Sequence, residues 1–150
     1  MTEQVTKTIT VKRDASSVYS AWSNFETFPY FMKYVEKVEK LSPHVSHWEV
    51  KGPLGTTMDW NAETTRSEPN QRIAWNTKDR AGTITTSGEV VFSELPHDET
   101  QIAVTMNYTV PAGKLGEAIA QLFSDPEKRL EEDLRNFKLY IENGHSGAAN

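Results

Sequence analysis

The chain has 150 residues, which fits about one domain, and its 37% hydrophobic and 25% charged residues describe a globular chain rather than a disordered one. It contains no cysteine, which excludes disulfides, thiolate metal sites and cysteine nucleophiles. The net charge of −5 argues against nonspecific binding of nucleic acid.

Met1 to Arg13 alternates polar and apolar residues without a long apolar core, so it reads as a strand rather than a secretory signal. Ile9 and Val11 give its clean apolar face. Asp14-Ala15-Ser16-Ser17 supplies helix N-cap chemistry, and Val18, Tyr19, Ala21, Trp22 and Phe25 follow at helical spacing. Pro29 interrupts the pattern, and Tyr30, Phe31 and Met32 are expected to form a second short turn after it. Strand-like segments then run Tyr34 to Leu41, His44 to Lys51, Thr56 to Arg66, Gln71 to Thr77, Thr83 to Leu95 and Thr100 to Val110, separated by Gly, Pro and Asn turn signals. Short turns between such segments predict an antiparallel meander.

The last third changes from a period of two to a helical one. Leu115, Ala118, Ile119, Leu122 and Phe123 share one stripe, and Ser124-Asp125-Pro126-Glu127 reads as a fresh helix start. Leu130, Leu134, Phe137 and Ile141 continue the apolar face, with Gly144 as the expected C-cap. Pro126 argues for a kink or a break, and the pattern does not choose between them. One domain over residues 1–144 with a frayed tail over 145–150 is the expected organisation.

These elements predict an α+β fold: a seven-stranded curved antiparallel sheet wrapped around a long C-terminal helix, with a short helix pair between the first two strands. Strand parity places Trp48 with Val50, Met58 with Trp60 and Ala62, Ile73 with Trp75, Gly88 with Val90 and Phe92, and Ile102 with Val104, Met106 and Tyr108. Such a face of Trp, Met and Val is more often plain core than a ligand pocket.

Catalytic patterns are scarce. His44 and His47 fall on opposite faces of one strand and cannot chelate one ion, and no metal site or cofactor is expected. His47 adjoins Trp48 and is placed near the pocket rim. Phosphate-cradling loops and dinucleotide fingerprints are missing. Asp59 and Glu63 lie about 13 Å apart on a strand, too far for a paired acid and base. Glu131-Glu132-Asp133 reads as a solvated helix face with Arg129, Arg135 and Lys138 as partners. Arg66 and Arg72 flank the Pro69 turn, where a surface role outweighs contact with a ligand acid.

Several stretches carry a resemblance. They are Val18-Tyr19 to Trp22, Asn24-Phe25-Glu26 to Pro29, His47-Trp48, Gly52-Pro53 with Gly55-Thr56, Trp60 with Ala62-Glu63, Pro69 to Trp75, Gly88 to Phe92, Pro111-Ala112-Gly113 and Asp125-Pro126 with Glu132-Asp133-Leu134. In these the chain resembles the polyketide cyclase/dehydrase-like group of the START/Bet v 1-like superfamily, from about Val5 to Gly144. The resemblance implies a helix-grip fold with a hydrophobic cavity between sheet and helix. It therefore turns the apolar face from core into expected cavity wall: Trp48, Met58, Trp60, Trp75, Phe92, Met106 and Tyr108. Phe28, Phe31 and Met32 are expected on the lid side, and Ile119, Leu122 and Phe123 on the helix side.

Members of one fold carry many functions. Binding or transport of a small hydrophobic ligand (a lipid, an isoprenoid or a polyketide-like aromatic) needs only a cavity and a lid, and is the preferred expectation. The alternative is a cyclase or dehydratase, in which Tyr108 is the candidate for moving a proton. A protein-interaction module, using Phe25 to Met32 as an apolar patch, is the second alternative. No nucleic-acid partner and no integral membrane association are expected, and a cytoplasmic location is.

Overall fold

The computed structural model describes residues 2–51, 55, 57–78, 85–109 and 126–143. Its strands are β1 (Thr2–Val11), β2 (Val35–Lys40), β3 (Val45–Lys51), β4 (Thr57–Glu68), β5 (Arg72–Thr77), β6 (Thr85–Leu95) and β7 (Glu99–Thr109). They form one sheet in the order β1-β7-β6-β5-β4-β3-β2, with every pairing antiparallel. The meander therefore runs from β2 to β7, and β1 joins it at β7. Register runs without a break from Thr2 opposite Thr109 to Val11 opposite Thr100. That continuous pairing carries β1 further towards the N-terminus than its apolar pattern alone indicates. The register shifts between Val35 and Lys37 and between Thr64 and Arg66, and such irregularities increase local twist and help the sheet curl.

Helix α1 (Ala15–Ser23) starts as its sequence predicts. The Asp14 carboxylate accepts from the Ser17 N–H at 3.1 Å and from the Ser17 hydroxyl at 2.8 Å. Those bonds, the side-chain one foremost, hold the Asp14 carboxyl below its ordinary pKa. The second helical piece lies earlier than expected. It is a 3-10 turn over Phe25–Tyr30 with Pro29 inside it, rather than a turn after Pro29. The turn is closed by Thr27 N–H to Asn24 O and Phe31 N–H to Phe28 O, neither of which asks Pro29 for a donor.

Helix α2 (Pro126–Glu142) begins at the proline, where a missing N–H costs no hydrogen bond. Leu130, Leu134, Phe137 and Ile141 form its buried stripe. The predicted stripe from Leu115 to Phe123, the Gly144 cap and the tail lie outside the described residues. The C-terminal end of α2 is tied to the corner after β1. Arg13 donates to the Ile141 carbonyl at 2.9 Å, Lys138 donates to the Thr10 carbonyl at 2.8 Å, and Glu142 accepts from the Lys12 N–H at 2.8 Å. The first of these bonds occupies a C-terminal carbonyl that the helix itself cannot satisfy, and the other two are side-chain ties to the backbone of β1 and its corner.

Rings join the elements above the sheet. Trp22 of α1 meets Phe28, Phe92 and Phe137 edge-on, with centroids 5.5, 6.3 and 4.9 Å away. Gly88 of β6 makes room for another ring. A Cβ there would stand 2.2 Å from the Thr105 carbonyl oxygen and 2.9 Å from Cη2 of Trp75. Backbone cannot yield as a flexible side chain does, so Gly88→Ala is expected to destabilise the fold by about 1–3 kcal/mol. Urea unfolding of the variant checks this; an unchanged midpoint would show that the sheet relaxes freely there.

Candidate functional site

Among the described residues, a cavity of about 180 Å³ lies between the concave face of the sheet and the N-terminal half of α2. Its aromatic wall comes from strand parity. Trp48 and Trp60 are direct cross-strand partners, and their rings stack with centroids 5.9 Å apart and planes within 9°. Trp75 extends the wall on β5, opposite Gly88. The Trp48 indole N–H donates to the Ser46 hydroxyl at 2.8 Å, so this ring brings no unsatisfied donor to the cavity. On β7, Val104, Met106 and Tyr108 line the cavity, and Phe28 and Met32 close the side beneath α1.

Two of the expected wall residues, Met58 and Phe92, and one expected on the lid side, Phe31, are placed outside the cavity lining. Met58 shares a face with Trp60 but is buried in the packed core at the start of β4, opposite Val50. Phe92 is covered by α1, with ring contacts to Tyr19 and Trp22 at 5.7 and 6.3 Å. Phe31 packs against Phe137 and Tyr140 at 5.1 and 5.2 Å, between the 3-10 turn and α2. Parity assigns a face, whereas position along the strand decides whether that face meets cavity or neighbouring core. Ile119, Leu122 and Phe123 lie outside the described residues. Phe25 to Met32 is not an exposed patch: Phe28 and Phe31 are buried, and Phe25 and Met32 pack against the core, leaving Tyr30 exposed.

The cavity also has a polar corner, which the expected wall did not include. Arg129, Leu130 and Asp133 of α2 face it, together with Tyr34. The Arg129 guanidinium lies 3.8 Å from the centroid of the Tyr34 ring, a close cation–π contact. Burial lowers the Arg129 pKa, and Tyr34, Asp133 and Tyr108 act in the opposite direction. Burial also pushes the Asp133 carboxyl up to about 7, against the pull of Arg129. Asp133 is therefore no part of a solvated face. Its acidic neighbours are: Glu131 pairs with Lys7 and Arg135 at 3.5 and 3.2 Å, and Glu132 with Lys33 at 3.5 Å. A signal for this was present. Asp133 stands three residues after Leu130 and one before Leu134, on the flank of the buried stripe.

His47 points away from the cavity rather than towards its rim, since it alternates with Trp48. Its Nδ1 is 2.6 Å from Asn61 Oδ1, and its Nε2 lies 3.5 and 3.6 Å from Glu49 and Asp59. Arg72 pairs with Glu68 and Glu89 on the outside of the sheet. No group of three or more metal-ligating side chains occurs among the described residues. No helix among them is long and apolar enough to cross a membrane.

Residues 11–135 match the family described as polyketide cyclase / dehydrase and lipid transport. A solved protein of Deinococcus radiodurans is 32% identical, with a TM-score of 0.76 over 95% of this chain and 99% of that one. The Zhui aromatase/cyclase of Streptomyces sp. R1128 is 21% identical, with a TM-score of 0.80 over 100% and 99%. A START superfamily protein of Mycobacterium smegmatis is 18% identical, with a TM-score of 0.75 over 93% and 97%. The last two likenesses are likenesses of fold, and they identify the helix-grip architecture.

The raised pKa of Asp133 has a consequence for stability. Between its unfolded value, near 3.9, and about 7, the folded chain holds more of this proton than the unfolded chain does. Stability from this group therefore falls as pH rises through that window. Asp133→Asn is expected to raise Tm at pH 8, by about 2–4 °C for each kcal/mol recovered, with a smaller gain at pH 4.5. Melting curves of both proteins at the two pH values check this; a gain independent of pH would contradict it.

Proposed function

The chain belongs to the polyketide cyclase/dehydrase and lipid transport family, and from that membership we propose that it binds a small, mainly apolar aromatic molecule in the cavity beneath α2. What supports this function is the cavity itself, walled by Trp48, Trp60 and Trp75 and about 180 Å³ in volume. Apolar cavities of about 150 Å³ accept one benzene ring, whereas drug-sized ligands occupy about 300–1,000 Å³. A molecule of one or two rings fits that space better than a long acyl chain does. Flat indole faces also favour flat ligands, by offset or edge-on stacking.

A cyclase- or dehydratase-type enzyme is the second possibility, favoured by one observation. Asp133, whose carboxyl burial pushes up to about 7, lines the same cavity as Tyr108, which suits a group that passes protons. In that case Tyr108→Phe would lose turnover while keeping ligand affinity.

Native mass spectrometry of the protein equilibrated with a panel of one- and two-ring aromatics is expected to show a 1:1 adduct. Trp75→Ala should weaken that adduct about tenfold, the equivalent of ~1.4 kcal/mol. Equal affinities in the two proteins, or adducts with long-chain lipids alone, would count against the aromatic ligand.

A further inference from the structure

We propose that Ala62 is the specificity-determining residue of the cavity: it floors a slot between two tryptophan rows, and its small side chain admits ligands of two fused rings. This deepens the ligand-binding function proposed above and rests on it. The register of the sheet lays out the slot. Trp48 and Trp60 face each other across β3 and β4, and Trp75 stands on β5 between Thr64 and Gly88. Ala62 falls in the row between them, with Ser46 on one side and Thr77 on the other. It shares a face of β4 with Trp60 and Thr64, and all three line the cavity. The two tryptophan rows, at Trp60 and Thr64 on β4, are therefore about 13 Å apart along the strand.

The floor of the slot is low and largely apolar. Ser46 and Thr77 turn their hydroxyls to the protein's own bonds: the first accepts from the Trp48 indole N–H at 2.8 Å, and the second bonds the N–H and carbonyl of Thr86 at 2.7 and 2.9 Å. Folding alone gives little reason for alanine between them. β-Branched side chains suit a strand better, and a valine or leucine on this face would bury more apolar area. What the alanine leaves is space. A single ring can rest against either tryptophan row, whereas a second fused ring has to reach across the slot above Ala62. A larger side chain would occupy that span and leave the tryptophan rows in place.

Isothermal titration calorimetry with phenol and 2-naphthol, which share a hydroxyl and differ by one ring, tests this on wild type, Ala62→Val and Ala62→Leu. Wild type is expected to bind 2-naphthol about tenfold more tightly than phenol. Ala62→Leu should abolish that ratio by weakening 2-naphthol about tenfold or more, with phenol changed by no more than about threefold, and Ala62→Val should fall between. Because the added atoms enter a void, the unliganded variants are expected to melt no lower than wild type, and up to about 2–4 °C higher. The proposal falls if wild type does not prefer 2-naphthol, if both variants keep the ratio, or if phenol weakens as much as 2-naphthol. It also falls if both unliganded variants melt well below wild type, since the chain itself would then fill the slot. In each of those cases the cavity still binds aromatics, and the function proposed above stands. Failure of both probes to bind wild type would overturn both.

Discussion

The contact between Trp22 and Phe137, at 4.9 Å, holds the helix-grip arrangement open as well as together. Protein interiors pack nearly as densely as organic crystals, so a helix laid on a concave sheet tends to fill the space below it. Here filling and holding are divided along α2. In its C-terminal half Phe137 and Ile141 are fully buried, and Arg13, Lys12 and Thr10 bind its end to the corner after β1. In its N-terminal half Leu130 and its polar neighbours border a void instead. Trp22 touches rings from the 3-10 turn, β6 and α2 at once, and aromatic pairs in this geometry are worth about 0.5–1.5 kcal/mol each beyond their buried area. The helix is therefore propped at a height that the cavity needs.

Electrostatics follow the same division. The ion pairs outside the cavity, such as Lys7 with Glu131 and Arg72 with Glu89, join partly exposed groups in water. Pairs of that kind are worth about 0–1 kcal/mol each. Asp133 and Arg129 differ because burial, not pairing, is the largest influence on both. A chain that needed only a packed core would place apolar side chains at these positions. Arg129 and Asp133 instead line the cavity, across from the tryptophans of the sheet.

The strand order and the shared faces were legible because a period of two converts directly into position. Trp48, Trp60, Trp75, Met106 and Tyr108 all stand where parity puts them. What parity cannot express is depth along the groove. Phe92 lies on the right face and still misses the cavity because α1 covers it, and Met58 is buried beside Val50 at the start of β4. The helix was harder to read. Three consecutive acids look alike in sequence, and an angular difference of about 100° per residue separates the paired Glu131 from the inward Asp133.

All four tryptophans of the chain border the cavity: Trp22, Trp48, Trp60 and Trp75. The indole emission of the molecule thus arises wholly around one volume, with no tryptophan elsewhere to contribute a constant background. Stacked Trp48 and Trp60 are also close enough to share excitation. A change in wavelength or intensity is accordingly a report on what occupies that space or how its walls move. The protein carries its own optical sensor, and needs no attached dye to show when the void is filled.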